Sequence, residues 1–94
     1  MTTATTFPKI LSVCPKQGKT LLVTFDNGEC REYDCTPLLQ STIFSPLRDD
    51  ALFRCVHVDS HGYGVVWNDD IDLAESEIWL NGKMTESDDA LDKY

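Results

Sequence analysis

The sequence has few basic residues: 8 Lys and Arg stand against 16 Asp and Glu, for a formal net charge of −8. Binding to nucleic-acid phosphates or to an anionic membrane surface requires a basic protein surface. We therefore expect neither direct nucleic-acid binding nor membrane binding. A chain of 94 residues has room for a single domain, and 41% hydrophobic residues are enough for a folded core.

Long apolar runs are absent as well. No run approaches the roughly 20 residues that a membrane-spanning helix needs. Residues 1–6 have neither the basic nor the apolar part of a signal peptide, so we expect a cytoplasmic protein. No Cys-x-x-Cys pair occurs, which argues against a structural zinc site. In a reducing compartment the cysteines should be free thiols that act as core or strand residues; they are Cys14, Cys30, Cys35 and Cys55.

Motifs for catalysis and for cofactors are also missing. The sequence contains no glycine-rich phosphate loop and no nucleophile elbow. His57 and His61 lack the Glu of the His-Glu-x-x-His zinc motif. A further alternative is a small metal-dependent enzyme using Asp69, Asp70 and His61, but no complete motif supports it. The acidic segment from Asp69 also does not meet the ligand spacing of a calcium loop. We therefore predict no metal, no cofactor and no enzymatic activity.

The acidic residues are concentrated in the second half of the chain. Residues 1–48 carry four acids and five bases, a net charge of +1, whereas residues 49–94 carry twelve acids and three bases, a net charge of −9. A one-sided acidic surface suits a basic protein partner. Solvation and favourable charge at a helix N-terminus explain the same pattern without a partner. We predict that the partner-binding surface consists of Tyr63 and five acids: Asp69, Asp70, Asp72, Glu75 and Glu77.

Turn residues and β-prone runs predict a three-stranded antiparallel meander at the start of the domain. The strands are expected over residues 9–14, 21–25 and 29–35. Asn27-Gly28 lies between the second and third strands and is a strong hairpin signal, because both residues tolerate a positive φ. A two-residue turn and a bulged three-residue turn both fit this sequence.

Short helices and a second hairpin should follow the meander. Thr36 (before Pro37), Asp49 and Asp72 are predicted helix N-caps, and Gly82 is the predicted left-handed terminator of the last helix. The second hairpin should pair residues 55–58 with 64–67. This order predicts an α+β fold: a small antiparallel sheet with short helices in two layers. Residues 1–6 are expected to be flexible, residues 7–82 to form the domain, and residues 83–94 to be a mobile acidic tail.

These motifs, in this order, resemble a known family, the bacterial domain of unknown function 2442, over roughly residues 7–82. The resemblance is strongest in Gly62-Tyr63-Gly64 with Trp67-Asn68 and the Asp-Ile-Asp-Leu that follows. The other matching segments are Phe7-Pro8-Lys9-Ile10, Leu22 to Glu29, Tyr33-Asp34, Pro37-Leu38-Leu39, Asp72-Leu73-Ala74 and Glu77.

The resemblance implies an α+β fold like that of the N-terminal domain of a two-domain bacterial protein whose second domain is helix-turn-helix. It implies no established enzyme activity and supplies no catalytic residues. Members of the family look like the partner half of a toxin–antitoxin-type gene pair beside domain of unknown function 4160. Because these 94 residues contain no helix-turn-helix segment, we expect no direct DNA binding.

Two functions fit these observations. The first is a non-enzymatic, acidic protein-binding domain, the antitoxin-like partner of a basic protein. The alternative is an acidic decoy, similar to an anti-CRISPR protein, that occupies the groove of a nucleic-acid-binding machine. A homodimer formed through an exposed sheet edge is compatible with either function.

Overall fold

The computed structural model describes residues 7–85 and confirms the α+β class. Within these residues there are seven strands, two α-helices and two 3₁₀ helices. The strands are β1 (Ile10–Lys16), β2 (Thr20–Phe25), β3 (Cys30–Asp34), β4 (His57–Val58), β5 (Gly64–Asn68), β6 (Ile71–Ala74) and β7 (Lys83–Thr85); the helices are α1 (Asp50–Phe53) and α2 (Glu75–Asn81), with 3₁₀ helices at Thr36–Gln40 and Ser45–Arg48. No helix in this part of the chain is long and apolar enough to cross a membrane.

The strands form two antiparallel sheets. The four-stranded sheet has the order β1-β2-β3-β7, and the three-stranded sheet has the order β4-β5-β6. The predicted meander and the predicted second hairpin therefore lie in different sheets. Each gains a strand that the sequence had not indicated: β7 beside β3, and β6 beside β5.

The turn between β2 and β3 resolves the two alternatives for Asn27-Gly28. Two backbone hydrogen bonds close this turn. The Gly28 N–H donates to the Phe25 carbonyl at 3.0 Å, and the Phe25 N–H donates to the Glu29 carbonyl at 2.8 Å. Gly28 has a φ of 90°, whereas Asn27 is not among the residues with positive φ. This is the bulged three-residue turn, in which a single left-handed residue is required and glycine provides it.

One of the predicted caps on the first helices is confirmed and the other is wrong. The Asp49 carboxylate accepts a hydrogen bond from the Ala51 N–H at 3.0 Å and caps α1. Thr36 is not a cap but the first residue of its 3₁₀ helix, and Cys35 precedes it without a side-chain cap. The Thr36 N–H is bonded instead to the Asp34 carboxylate at 2.9 Å. The Asp34 carboxylate, and not the Thr36 side chain, therefore accepts a hydrogen bond from a backbone N–H at the start of this 3₁₀ helix.

Three expectations for the C-terminal part are corrected. Asp72 lies in β6, and α2 begins at Glu75 after an N-cap, Ala74, that makes no side-chain bond. Gly82 ends α2 in an extended conformation, with φ −77° and ψ 156°, and not in the left-handed region. Lys83–Thr85 is not tail but β7, because the edge of β3 offers it a hydrogen-bonding partner. The predicted flexible residues 1–6, and residues 86–94 of the predicted tail 83–94, lie outside the described residues.

The core is one cluster of buried residues from both sheets and from the helices, and buried residues alternate with less buried ones along β2 and β3. Leu21, Val23 and Phe25 of β2 are fully buried, as expected for one face of a strand. Trp67 is buried and donates its indole N–H to the Phe53 carbonyl at 3.1 Å. Trp79 of α2 packs edge-on against Phe25, with ring centroids 5.1 Å apart. Both tryptophans therefore pack in or against the core.

A buried arginine attaches α2 to the four-stranded sheet. Arg31 on β3 places its guanidinium 3.8 Å from the ring centroid of Trp79, and its Nε donates to the Trp79 carbonyl at 3.4 Å. Its Nη1 forms a 2.9 Å salt bridge with Glu29. A buried charge is tolerated only when it is paired and hydrogen-bonded, and Arg31 meets both conditions. The seven-residue α2 is too short to be stable alone, so these contacts hold it in place.

The four cysteines are free thiols. Cys35 is buried in the core, and burial raises the pKa of its thiol to about 12. Cys30 is half-buried on β3, and Cys14 lies exposed on β1, so the strand assignment holds for both. Cys55 is exposed and lies after α1, outside both the core and the strands. The assignment as a core or strand residue is wrong for Cys55.

Candidate partner-binding surface

The turn between β5 and β6 presents two of the predicted acids to solvent. The Asn68 side-chain oxygen accepts hydrogen bonds from the N–H groups of Asp70 and Ile71, at 2.9 and 3.0 Å. This side-chain-to-backbone bonding is typical of asparagine at a turn. Asp69 and Asp70 occupy the tip of the hairpin and are exposed. Their placement therefore follows from the turn and not from a helix N-terminus.

Asp72 lies on the outer face of the three-stranded sheet. It is paired with Val66 on β5, and Val66 is paired in turn with His57 on β4, so the three residues form a row across the sheet. Asp72 and His57 are exposed, whereas the flanking Ile71 and Leu73 are buried on the opposite face. The alternation of a strand thus turns the carboxylate of Asp72 away from the core.

Tyr63 and Glu75 meet at the base of the same hairpin. The Glu75 N–H donates to the Tyr63 carbonyl at 2.9 Å. Tyr63 is 54% exposed, and its ring centroid lies 5.1 Å from Lys9 Nζ and 5.9 Å from the ring centroid of His61. The tip and the base of the hairpin are separated by the length of β5, about 15 Å at strand geometry. The structure therefore places Tyr63 beside Glu75 and away from Asp69 and Asp70.

Glu77 is engaged elsewhere. Its carboxylate accepts a hydrogen bond of 2.7 Å from the hydroxyl of Tyr33, on the buried face of β3. Burial, followed by this bond to the negatively charged Glu77, raises the pKa of Tyr33 above its ordinary value. Glu77 thus binds α2 to the four-stranded sheet. Of the six predicted residues it is the one whose charged group has a clear structural partner.

Within residues 7–85, no ion pair neutralises the acids of the hairpin. The salt bridges found within residues 7–85 are Lys19–Asp50, Arg31–Glu29 and Arg54–Asp50. None of them involves the β5–β6 hairpin or Glu75. We define the acidic hairpin as β5, β6 and their turn with Asp69, Asp70 and Asp72; its negative charge faces solvent without a bound cation from residues 7–85.

Metal-ligating residues do not converge in the described part of the chain. Residues 7–85 contain no group of three or more His, Cys, Asp and Glu side chains arranged to hold a metal ion. His61 precedes the base of the β5–β6 hairpin, whereas Asp69 and Asp70 form its tip. The structure does not bring these three residues together.

A groove that the sequence did not indicate lies beside β3. It has a volume of about 470 Å³, and its lining includes Glu32, Asp34, Asn81 and Lys83. The Asp34 carboxylate is already bonded to the Thr36 N–H, and hydrogen bonds from Thr36 hold its pKa below the ordinary value. The groove combines both signs of charge, so it favours no single class of charged ligand.

The strand β6 is the feature of this surface that sequence reasoning missed. A signal was present: Ile71 and Leu73 alternate with Asp70 and Asp72, which is the period of a half-buried strand. The spacing of Asp72 and Glu75 resembled a capping box and favoured a helix instead. The alternation was the better indicator.

Comparison with known proteins identifies the family and no individual relative. No curated protein and no solved structure matches the chain. The family model described as "Protein of unknown function (DUF2442)" matches residues 10–83, which include every described strand except the last two residues of β7. This agrees with the motifs identified in the sequence. The chain therefore belongs to the DUF2442 family.

Proposed function

We propose that this protein is a non-enzymatic, antitoxin-like binding domain that uses the acidic hairpin to bind a basic protein. The observation that carries the proposal is the exposure of Asp69, Asp70 and Asp72 with no Lys or Arg paired to them within residues 7–85. Unpaired charges of one sign attract an oppositely charged surface and raise the rate of association.

Two other acids of the domain illustrate the contrast. Asp50 is bonded to both Lys19 and Arg54, and Asp49 caps α1. These carboxylates have local structural roles. The carboxylates of Asp69, Asp70 and Asp72 have no such role among the described contacts, so a role in recognition accounts for them better than a role in folding.

We further propose that the protein acts in a reducing compartment such as the bacterial cytoplasm. Its four cysteines are free thiols. Free thiols persist where glutathione and thioredoxin keep the compartment reducing.

The decoy function is less well supported. It needs the five acids from Asp69 to Glu77 to act as one series that imitates phosphates. Glu77 is hydrogen-bonded to Tyr33, and Glu75 lies at the base of the hairpin, away from the tip. The three remaining carboxylates are enough to attract a basic protein surface, but they are too few to imitate the phosphates of a nucleic-acid strand.

The test is capture of the partner by the tagged full chain from its source cells, at about 0.1 M and about 1 M salt. Charge interactions extend about 10 Å at the lower concentration and about 3 Å at the higher. We expect a basic protein to be retained at low salt and mostly lost at high salt. The captured protein is then purified and titrated against variants of the chain.

Two charge reversals of equal size make the test specific. Asp72→Lys alters the acidic hairpin, whereas Glu32→Lys alters an exposed acid on the other sheet. We expect Asp72→Lys to weaken binding by at least about tenfold, as opposite charges become like charges, and Glu32→Lys to have a much smaller effect. Equal losses from both variants, or no captured protein at either salt concentration, would contradict the proposed function.

A further inference from the structure

Within residues 7–85, the outer edge of β6 has no partner strand. β6 is the last strand of the three-stranded sheet, and no strand within residues 7–85 pairs with its far side. Asp72 and Ala74 are both exposed. An unpaired strand edge presents backbone N–H and C=O groups that can pair with another strand.

The hydrogen bonds of the hairpin show which backbone groups face outward. The Glu75 N–H donates to Tyr63, and the Asp59 N–H donates to Gly64 from the β4 side. Because hydrogen-bonded and non-bonded pairs alternate along antiparallel strands, Leu73 bonds toward β5 while Asp72 and Ala74 direct their groups away from it. The Ala74 carbonyl lies at the N-cap of α2 and is used by that helix. The N–H and C=O of Asp72 and the N–H of Ala74 remain at the edge.

The edge of β1 is less suited to accept a strand. β1 contains Pro15, which has no N–H to donate and is tolerated only at a sheet edge. The N–H at its beginning, on Ile10, is already bonded to the Gly62 carbonyl at 2.8 Å. The β6 edge contains no proline.

We propose that the β6 edge receives an extended segment of the partner, bearing Lys or Arg, as a fourth strand of the three-stranded sheet. This inference rests on the proposed function and specifies how the acidic hairpin binds. Addition of a strand supplies affinity through backbone hydrogen bonds and specificity through the side chains beside them. A basic residue on the outer face of the added strand lies next to Asp72, and Asp69 and Asp70 extend the negative charge at the tip.

Charge argues against a second copy of this chain as the occupant. Antiparallel pairing of two β6 edges would place Asp72 of each copy on the same face of neighbouring strands. Like charges across a strand pair are destabilising, whereas opposite charges are favourable. Asp72 thus opposes self-association and favours a basic strand.

The experiment uses the isotope-labelled full chain and a synthetic probe, the acetylated and amidated peptide Val-Lys-Val-Lys-Val-Lys. Titration is followed by amide NMR and by hydrogen exchange. At a peptide concentration of ten times Kd, we expect exchange at the Asp72 and Ala74 amides to slow by about tenfold. The Leu73 amide already bonds to β5 and should change little.

Two control peptides separate backbone pairing from charge. The same peptide with N-methyl groups on alternate backbone nitrogens keeps the charge but loses donors, and we expect its Kd to rise by at least about tenfold because several bonds are lost together. The peptide with Glu in place of Lys should not bind detectably. These controls leave the protein unchanged, so they do not depend on the folding of a variant.

A matched pair of variants tests the edge from the side of the protein. Ala74→Pro removes the outward N–H, and the φ of −72° at this residue fits proline. Ala74→Ser keeps the N–H. We expect about threefold to tenfold weaker peptide binding for Ala74→Pro, the loss expected for one hydrogen bond, and no loss for Ala74→Ser.

Each outcome has a distinct meaning. Equal affinity of the methylated and unmethylated Lys peptides, or an unchanged Kd for Ala74→Pro, would overturn strand addition and leave charge-driven binding by the acidic hairpin intact. Protection of the Asp72 and Ala74 amides without peptide, in a chain that sediments as a dimer, would assign the edge to a second copy and also overturn the inference. Failure to capture a basic protein from source cells contradicts the proposed function and is independent of the peptide result.

Discussion

Two regions of this small domain use charged side chains in opposite ways. In the α2 seam, defined here as Arg31, Tyr33, Glu77 and Trp79, each charged group is paired, stacked or hydrogen-bonded. In the acidic hairpin, the carboxylates face solvent without a cationic partner from residues 7–85. The number of charged residues in a segment therefore does not show whether their side chains have structural partners. The buried or half-buried, paired charges of the α2 seam stabilise the fold, and under the proposed function the exposed carboxylates of the acidic hairpin bind the partner.

The largest expected effect is at the centre of the α2 seam. Arg31→Ala removes a side chain that is 8% exposed, its stacking on Trp79 and its bond to Glu29, and should lower the free energy of unfolding by about 2–4 kcal/mol. Urea denaturation measures this. Arg54→Ala is the control, because Arg54 also forms one salt bridge but is 61% exposed; its loss should cost less than about 1 kcal/mol. Similar costs for the two arginines would show that burial adds nothing to the stabilisation provided by a paired charge.

A smaller loss is expected where β5 and β6 pack closely. A Cβ added at Gly64 would lie 2.5 Å from the Leu73 carbonyl oxygen, so Gly64→Ala should destabilise the protein by about 1–3 kcal/mol. Gly28→Ala is the comparison, because a Cβ there meets nothing within 4 Å and only its φ of 90° is unfavourable; we expect about 1 kcal/mol. Thermal unfolding of both variants tests whether the backbones of β5 and β6 are held too rigidly to move apart and accommodate the added methyl group. A Gly64→Ala variant as stable as the parent would show that they are not.

Tyr33→Phe should have an intermediate effect that depends on pH. At pH 7 the lost hydrogen bond to Glu77 should cost about 1 kcal/mol. The pKa of Tyr33 is raised in the folded state, first by burial and then by Glu77, so the folded protein keeps this proton while the unfolded chain loses it above about pH 10. The stability contributed by Tyr33 is therefore complete below about pH 10 and declines at higher pH.

The measurement is the free energy of unfolding of both proteins between pH 7 and pH 11. We expect the gap between the parent and Tyr33→Phe to narrow toward the alkaline end, because only the parent loses the contribution of Tyr33. Cys35, whose pKa is also raised, is common to both chains and cancels in the difference. A gap that stays constant or widens would contradict the role of this hydroxyl.

The smallest effect on stability is expected at the acidic hairpin. Asp72→Asn should change the free energy of unfolding by less than about 0.5 kcal/mol, because the exposed carboxylate has no described partner. The same variant should weaken binding of the Lys peptide by about threefold, the value of an exposed charge pair. Glu32→Gln is the matched control and should leave both quantities unchanged. A large loss of stability for Asp72→Asn would show that the Asp72 carboxylate stabilises the fold.

Local patterns predicted the features that depend on a few adjacent residues. The hairpin at Asn27-Gly28 and the cap at Asp49 both followed from side-chain and backbone preferences within three or four positions. The α+β class followed from the order of such segments. The same local reasoning failed at Asp72, where a spacing typical of a helix cap competed with the alternation of a strand.

The candidate site was only partly predictable for a related reason. The sequence identified the acids but not which of them would find partners. Glu77 bonds to Tyr33, a residue 44 positions away along the chain. The placement of Tyr63 at the opposite end of the hairpin from Asp69 depends on the register of β5 and β6. Neither contact leaves a signal within a short window of sequence.

By itself, the sequence determined the composition of the core, the first hairpins and the excess of negative charge in the second half, because hydrophobicity, turn preferences and charge are properties of individual residues and their neighbours. Only the tertiary structure decided that the strands divide into two sheets, that Arg31 and Glu77 become structural, and that no strand of residues 7–85 pairs with the outer edge of β6 beside Asp72. Those outcomes depend on which distant segments compete for the same hydrogen bonds and the same buried space. That competition is settled only when the whole chain packs.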